Sequence, residues 1–327
     1  MAVLIDLVLL AMLAITALRV IFLKDLFAVV MLFGIYSLLS ALIFINLDAV
    51  DVAFTEAAVG AGISTVLMLS TLALTGRTEK ESRRSSVLPL LVVVATGAAL
   101  IYGTLDMPPF GAADNPIHQH VAPRYIEESP KEVGMPNMVT SVLASYRGFD
   151  TFGETVVVFA AAIGVLSLLG VARRREEDGA PESGFKGHKV LRVVAKLIIP
   201  LTILFALYVQ FHGDFGPGGG FQAGVIAAAA FILYALVFSL SHALRVVSPK
   251  FLQVLASLGV LLYASVGIYS MLKGGNFLDY NKLAADPLAG QHYGIIIIEL
   301  GVGITVFAVM LNIFYAFASQ VERSNIK

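Results

Sequence analysis

The 327-residue chain has no cysteine, so it holds no disulfide, no thiolate-bound zinc and no cysteine-ligated iron–sulfur cluster. It has no tryptophan, which leaves any interfacial aromatic belt to its 11 tyrosines and 21 phenylalanines. Charge is scarce as well. Asp, Glu, Lys and Arg make up 14% of the residues, against about 25% in soluble domains. The formal net charge of -1 carries none of the basic excess that nucleic-acid binding requires, so no nucleic-acid partner is expected. No nucleophile–base pair, complete metal triad or nucleotide-binding loop can be assembled from its motifs. The chain does not read as an enzyme, and no cofactor is assigned.

What is present is apolar sequence: 58% hydrophobic residues and a mean hydropathy of +0.85. A membrane-crossing helix needs about 20 mostly apolar residues. Nine runs qualify, at 2–22, 26–46, 52–75, 87–105, 151–172, 191–211, 218–241, 251–272 and 293–318. The fold class is therefore all-α, a polytopic membrane protein of about nine transmembrane helices. The first run has no basic leader and reads as a retained span rather than a cleaved signal.

The basic residues set the expected orientation. With alternating spans, 17 of the 22 Lys and Arg residues fall on one side, including Arg77, Lys80, Arg83, Arg84, Arg173, Arg174, Arg175, Lys186, Arg245 and Lys250. Only Arg124, Lys131, Arg147, Lys273 and Lys282 fall on the other. Cytoplasmic loops carry the basic excess, so the expectation is N-terminus out, C-terminus in, in a cell inner (cytoplasmic) membrane. The charged stretch 176–189 lies on the inner side and divides the chain into a five-span part, 1–175, and a four-span part, 190–327.

The outer loop 106–150 is the longest. Its His118-x-His120 pair lacks a third ligand, and no metal is assigned. Its weakly apolar end, Met135 to Tyr146, is too short and too polar to span and is expected to lie flat on the membrane surface.

At Gln210–Ala230, QFHGDFGPGGGFQAGVIAAAA, glycines and a proline interrupt two apolar runs. Such a sequence cannot continue a helix and makes a tight corner, here built from Pro217, Gly218, Gly219 and Gly220. A phosphate-cradling loop would need a preceding strand and a following Lys-Ser or Lys-Thr, which are missing. His212 and Asp214 flank the corner, where the choice is between a proton relay and simple solvation.

Ionisable groups inside spans cost several kcal/mol unless partnered, hydrated or used. Glu56, Glu154 and Glu299 each fall within one. Glu56 follows Asp48 and Asp51 and shares a helical stripe with Gly60 and Ser64, a face that can hold a water file. The competing reading is a packing seam of small residues. Glu154 follows Asp150, and Glu299 precedes Gly301 and Gly303. Lys196, about a turn into its span, reads as a snorkelling anchor that is also retained as a path candidate. The candidate ion and proton path is therefore Glu56, Glu154, Glu299, Asp51, Ser64, Lys196, His212 and Asp214.

These residues carry a resemblance. His212-Gly213, Pro217-Gly218-Gly219-Gly220-Phe221 and Gly224 resemble the signature of MrpB, a small membrane component of Mrp-type sodium/proton antiporters, and of its counterparts in membrane-bound hydrogenases, over residues 188–327. Asp51 to Gly62, and Arg147-Gly148-Phe149-Asp150-Thr151 with Glu154, resemble the C-terminal part of MrpA, the large component of the same antiporters. That part is similar to the small five-span subunit of respiratory complex I. The resemblance implies a fused module, the tail of MrpA joined to MrpB, that moves Na+ and H+ beside large antiporter-like and small Mrp subunits, with lipid around it. It makes Glu56 and Glu154 members of the ion path. Asp214 stands where the motif often has a second histidine, and the large proton-pumping part of MrpA is missing, so transport by this chain alone is not expected. Two rivals remain: the equivalent subunit of a redox-driven complex, and a structural adaptor that conducts nothing.

Overall fold

The computed structural model describes residues 2–80, 87–109, 111–172 and 188–324. Among them, nine helices are long and apolar enough to cross a membrane. They are α1 (Ala2–Phe22), α2 (Leu26–Asn46), α3 (Val50–Leu74), α4 (Val87–Thr104), α5 (Gly148–Leu169), α6 (Lys189–His212), α7 (Gly220–Phe238), α8 (Pro249–Leu272) and α9 (Pro287–Ser324). The stretch expected to link the two parts, 176–189, lies outside the described residues up to 187, as do Arg83, Arg84, Arg173, Arg174, Arg175 and Lys186.

The packing is centred on α9. Val306, Ala308, Leu311, Tyr315 and Ala316 of this helix are fully buried. At the other extreme, α4 buries none of its residues within the chain. The reason for α9's position is in its glycines. Gly301 and Gly303 are two residues apart, so they project about 200° apart around the helix. Gly301 meets Gly259 of α8, and Gly303 meets Gly220 of α7. One glycine thus lets each neighbouring backbone approach closely. α9 also begins six residues before the apolar run at 293–318, because Asp286 accepts from the N–H groups of Leu288 and Ala289 and caps an earlier first turn.

In the first part, Asp25 caps α2 by accepting from the Phe27 N–H at 3.0 Å and pairs with Arg77 at 2.9 Å. The Arg77 guanidinium holds the Asp25 carboxyl below its usual range. The backbone joins there too, Leu26 N–H donating to the Arg77 carbonyl and Glu79 N–H to that of Lys24. These bonds close α1–α3 at one end. At the other, the Asn46 amide donates to Asp6.

Two features depart from the sequence expectation. First, α3 is not uniformly α-helical. Between Ala57 and Ile63 it takes π-type winding, and Ser64 N–H donates to the Val59 carbonyl five residues back. The four-residue stripe expected to run from Glu56 through Gly60 to Ser64 is therefore rewound. Second, Met135–Tyr146, expected to lie flat on a surface, packs into the protein with one face. Val133, Met135, Thr140, Ser141 and Ala144 are buried against the second part. The stretch is held because it supplies donors and acceptors that the second part lacks. The Tyr280 hydroxyl donates to the Ala144 carbonyl at 2.9 Å, and the Tyr263 hydroxyl to the Gly148 carbonyl at 2.6 Å.

Tyr280 is 1% exposed. Removing its hydroxyl leaves the Ala144 carbonyl buried and unpaired, which costs about 1–3 kcal/mol. Tyr280→Phe is expected to lower the thermal midpoint of the purified complex while leaving its far-ultraviolet helical signal unchanged, and an unaltered midpoint would show that this clasp contributes nothing.

Candidate functional site

The glycine corner runs from Gly213 to Gly219. The His212 carbonyl accepts from Phe215 N–H and Gly216 N–H, and Gly219 N–H donates back to Val209. Gly219 has φ +111°, a conformation L side chains rarely adopt. A corner this tight leaves its own carbonyls without helical donors. Residues 137–140 supply them. The Asn137 side-chain amide donates to Gly213 O at 3.1 Å and Gly216 O at 3.0 Å, and the Thr140 hydroxyl donates to Gly213 O at 2.6 Å. Asn137 N–H donates to Asp214 O.

This docking buries Asp214, which is 6% exposed. The solvated corner carboxylate allowed by the sequence is thus replaced by a buried one. Its Oδ2 faces His292 Nδ1 of α9 at 3.6 Å, while its Oδ1 has no hydrogen-bond partner. Burial pushes the Asp214 carboxyl up from its ordinary 3.8, and His292 opposes the rise. His212 stacks on Tyr208 with ring centroids 4.9 Å apart.

Glu299 reaches the same corner from α9. It lies four residues before Gly303 and so shares the face turned to α7. Its Oε1 is 3.3 Å from where a Cβ on Gly213 or on Gly219 would sit. The missing side chains are what admit the carboxylate. Asp214 and Asp51 are within electrostatic reach of it. Asp51, at the start of α3, accepts from the Asn137 amide at 3.4 Å. Thr55 of α3 accepts from the Gln222 amide of α7 at 2.8 Å. The first turns of α3 and α7, residues 137–140, the corner and α9 therefore converge, and with them three carboxylates from both parts of the chain.

The other predicted residues lie apart from this junction. Glu56 marks the start of the π-wound segment, with its Oε1 against Gly60 beside the buried Ser37 of α2. Such windings recur at functional sites. Glu154 is exposed on α5. Tyr263 of α8 has both Glu154 and Glu299 within electrostatic reach. Lys196 is exposed on α6, 16 residues and so about 24 Å of helix from His212. Sequence reasoning missed Asn137 and Gln222. Gln222 had a usable signal, an amide two residues inside an apolar span. Among the described residues no group of three or more His, Cys, Asp or Glu is close enough to hold a metal ion.

Three family models match the chain in order. Two describe components of MBH, MbhD over residues 11–77 and MbhE over 82–183, and the third is a domain related to the MnhB subunit of Na+/H+ antiporter over 190–312. The antiporter protein mnhB2 of Staphylococcus aureus (strain Newman) is 33% identical over 132 residues, 39% of this chain and 93% of that protein. A protein named for the A/B subunit of a K(+)/H(+) antiporter, from Rhizobium meliloti (strain 1021), is 26% identical across 91% of this chain. Among solved structures, the Mrp complex from Dietzia sp. DQ12-45-1b superposes with a TM-score of 0.72 at 24% identity over 95% of this chain, a likeness of fold. The membrane-bound sulfane sulfur reductase (MBS), an archaeal respiratory membrane complex, gives 0.54 at 29% identity over 71% of this chain and 97% of that one. The chain spans 32% of the Rhizobium protein and 34% of the Dietzia chain.

Fold and junction together define a multi-pass, all-α membrane subunit. More particularly, the chain belongs to the MnhB-related family of Na+/H+ antiporter subunits, its MnhB-like part preceded by MbhD-like and MbhE-like parts.

Proposed function

We propose that this chain is a membrane module of a multi-subunit cation/proton antiporter of the Mrp type, in which it lines part of the ion path and bridges larger subunits. The observation that carries the reading is the convergence of Asp51, Asp214 and Glu299 at the glycine corner. Carboxylates gathered inside an apolar bundle are rarely retained without a task. Here the task is to exchange protons or a monovalent cation between the corner and the interior. Asn137, Thr55 and Gln222 fix the geometry. From Glu299 the route runs past Tyr263 to Glu154, with Glu56 feeding it from α3. The basic-residue split supports an outer position for the corner, and residues 1–175 and 190–327 are read as the two fused units.

A second reading is supported by the MBH-type matches and by the likeness to MBS: the same module serving a redox-driven pump. Purification of the intact complex in mild detergent, with mass spectrometry of its chains, separates the two. Antiporter-like membrane chains alone are expected, with Na+-dependent proton movement in vesicles. Co-purifying iron–sulfur chains would instead assign the module to a redox complex, and recovery of this chain alone and stable would overturn both.

A further inference from the structure

A buried carboxylate that exchanges protons needs a carrier to bring them from water. Asp214 is in that position, at 6% exposure. Residues 137–140 close one side of its corner, through the bonds of Asn137 to Gly213 O and Gly216 O and of Thr140 to Gly213 O. Asp214 Oδ1 is buried without a hydrogen-bond partner, so no set of donors holds the carboxylate in its charged form. The histidine that the sequence sets beside it does not serve it. His212 stacks on Tyr208, and its Nε2 lies 3.0 Å from where a Cβ on Gly216 would sit. Among the described residues no hydrogen bond or ion pair joins His212 to Asp214.

His292 does reach it. Its Nδ1 is 3.6 Å from Asp214 Oδ2, and its side chain is 45% exposed. The ring therefore meets the buried carboxylate on one side and open surface on the other. Among the described residues no hydrogen bond holds the ring in place. A purely structural ion pair closes to hydrogen-bond distance and engages both carboxylate oxygens; this one does neither. The place of His292 on α9 completes a line. Seven residues, two turns or about 10 Å of helix, separate it from Glu299, so both lie on one face. Between them stands Asp214, next to Gly213, whose missing side chain admits Glu299 Oε1. Asp51, the remaining carboxylate of the junction, is engaged by the Asn137 amide instead.

We propose that, given the transporting junction inferred above, His292 is its proton-entry residue and carries protons between water and Asp214 on their way to or from Glu299. The neutral ring takes a proton from water and becomes an imidazolium. Its Nδ1–H then passes to Asp214 Oδ2, which leaves a neutral ring and a neutral carboxylic acid. Imidazole suits this task because it gains and loses a proton near neutral pH. The 3.6 Å gap is longer than a hydrogen bond of about 2.9 Å, so contact is made by a small swing of the ring. Exposed side chains make such swings in picoseconds to nanoseconds, too fast to limit transport.

The test uses the intact complex in inverted membrane vesicles, with Na+-driven proton movement as the readout. His292→Gln keeps a polar side chain and cannot carry a proton. It is expected to assemble normally and to slow transport on the order of tenfold, less than the hundredfold or more of a proton-transfer group that nothing replaces. Mobile buffer can bring protons to the corner in place of the ring. Raising the concentration of HEPES, an impermeant buffer, on both faces of the vesicles at constant pH and ionic strength is therefore expected to restore the variant and leave the wild type unchanged. A wild-type rate in His292→Gln overturns the proposal. So does a slowed rate that buffer does not raise, the pattern of a residue that only positions the corner. His292→Ala decides by the same two readouts if the glutamine variant does not assemble. Glu299→Gln in the same vesicles separates the entry residue from the wider reading. A slow Glu299→Gln beside a wild-type His292→Gln removes the entry residue alone, whereas wild-type rates in both remove the transporting junction as well.

Discussion

Glu299→Gln in the assembled complex is expected to slow cation-coupled proton movement in inverted membrane vesicles about a hundredfold, the scale on which a positioned proton-transfer group acts. The carboxylate sits on the α9 face that meets the corner, admitted by the absence of side chains at Gly213 and Gly219. No hydrogen bond to its side chain is found among the described residues, so glutamine strands no protein partner. It keeps the shape and relieves the cost of a partly buried charge beside Asp214 and Asp51. Assembly is therefore expected at or above the wild-type level, which separates a transport role from a packing role. Lys196→Gln serves as the comparison, because Lys196 is exposed and near the far end of α6. It is expected to leave transport unchanged. Wild-type rates in Glu299→Gln would remove Glu299 from the path and favour an adaptor that conducts nothing.

The spans were legible in the sequence because lipid imposes one dominant requirement, an apolar run long enough to cross. The corner was legible for a similar reason, since glycines and a proline between two such runs permit little else. The site was only partly legible. Glu56 looks the most favoured of the three glutamates when each span is read by itself, because Gly60 and Ser64 follow it at α-helical spacing. That spacing fails where α3 adopts π winding, which a 3.6-residue period does not reveal. Asp214 looks solvated because its burial depends on Asn137, 77 positions earlier. Asn137 docks only because the corner carbonyls of Gly213 and Gly216 need donors. Met135–Tyr146 looks interfacial because its apolarity is weak. Its burial rests on hydrogen bonds with Tyr280 and the corner rather than on hydrophobic length. In each case the missing information was a pairing between distant segments.

Gly224→Val is expected to abolish recovery of the complex, because a side chain at that position has nowhere to go. Its Cβ would stand 2.6 Å from Gly303 O, 2.9 Å from Val306 Cβ and 3.0 Å from Phe307 N. Two of these three obstacles are backbone atoms of α9, and they cannot turn aside as a flexible side chain would. Ordinary overpacking costs about 1–3 kcal/mol because neighbouring side chains shift. Here α7 and α9 must separate, and α9 cannot retreat, because Gly259 of α8 holds its other face with Gly301 O 2.6 Å from the Gly259 Cβ position. The cost is expected to exceed about 4 kcal/mol, the range of exceptional single substitutions. Gly97→Val and Gly164→Val provide the contrast, since a Cβ at either glycine meets nothing within 4 Å inside this chain. Blue-native electrophoresis of the three variants measures the difference directly, and wild-type recovery of Gly224→Val would mean that α7 and α9 are not clasped. The same clasp bears on transport. Glu299 and Gly303 share the α9 face that meets α7, so any spreading of the two helices withdraws the carboxylate from the corner. A milder variant, Gly224→Ala, is therefore expected to lose transport before it loses assembly.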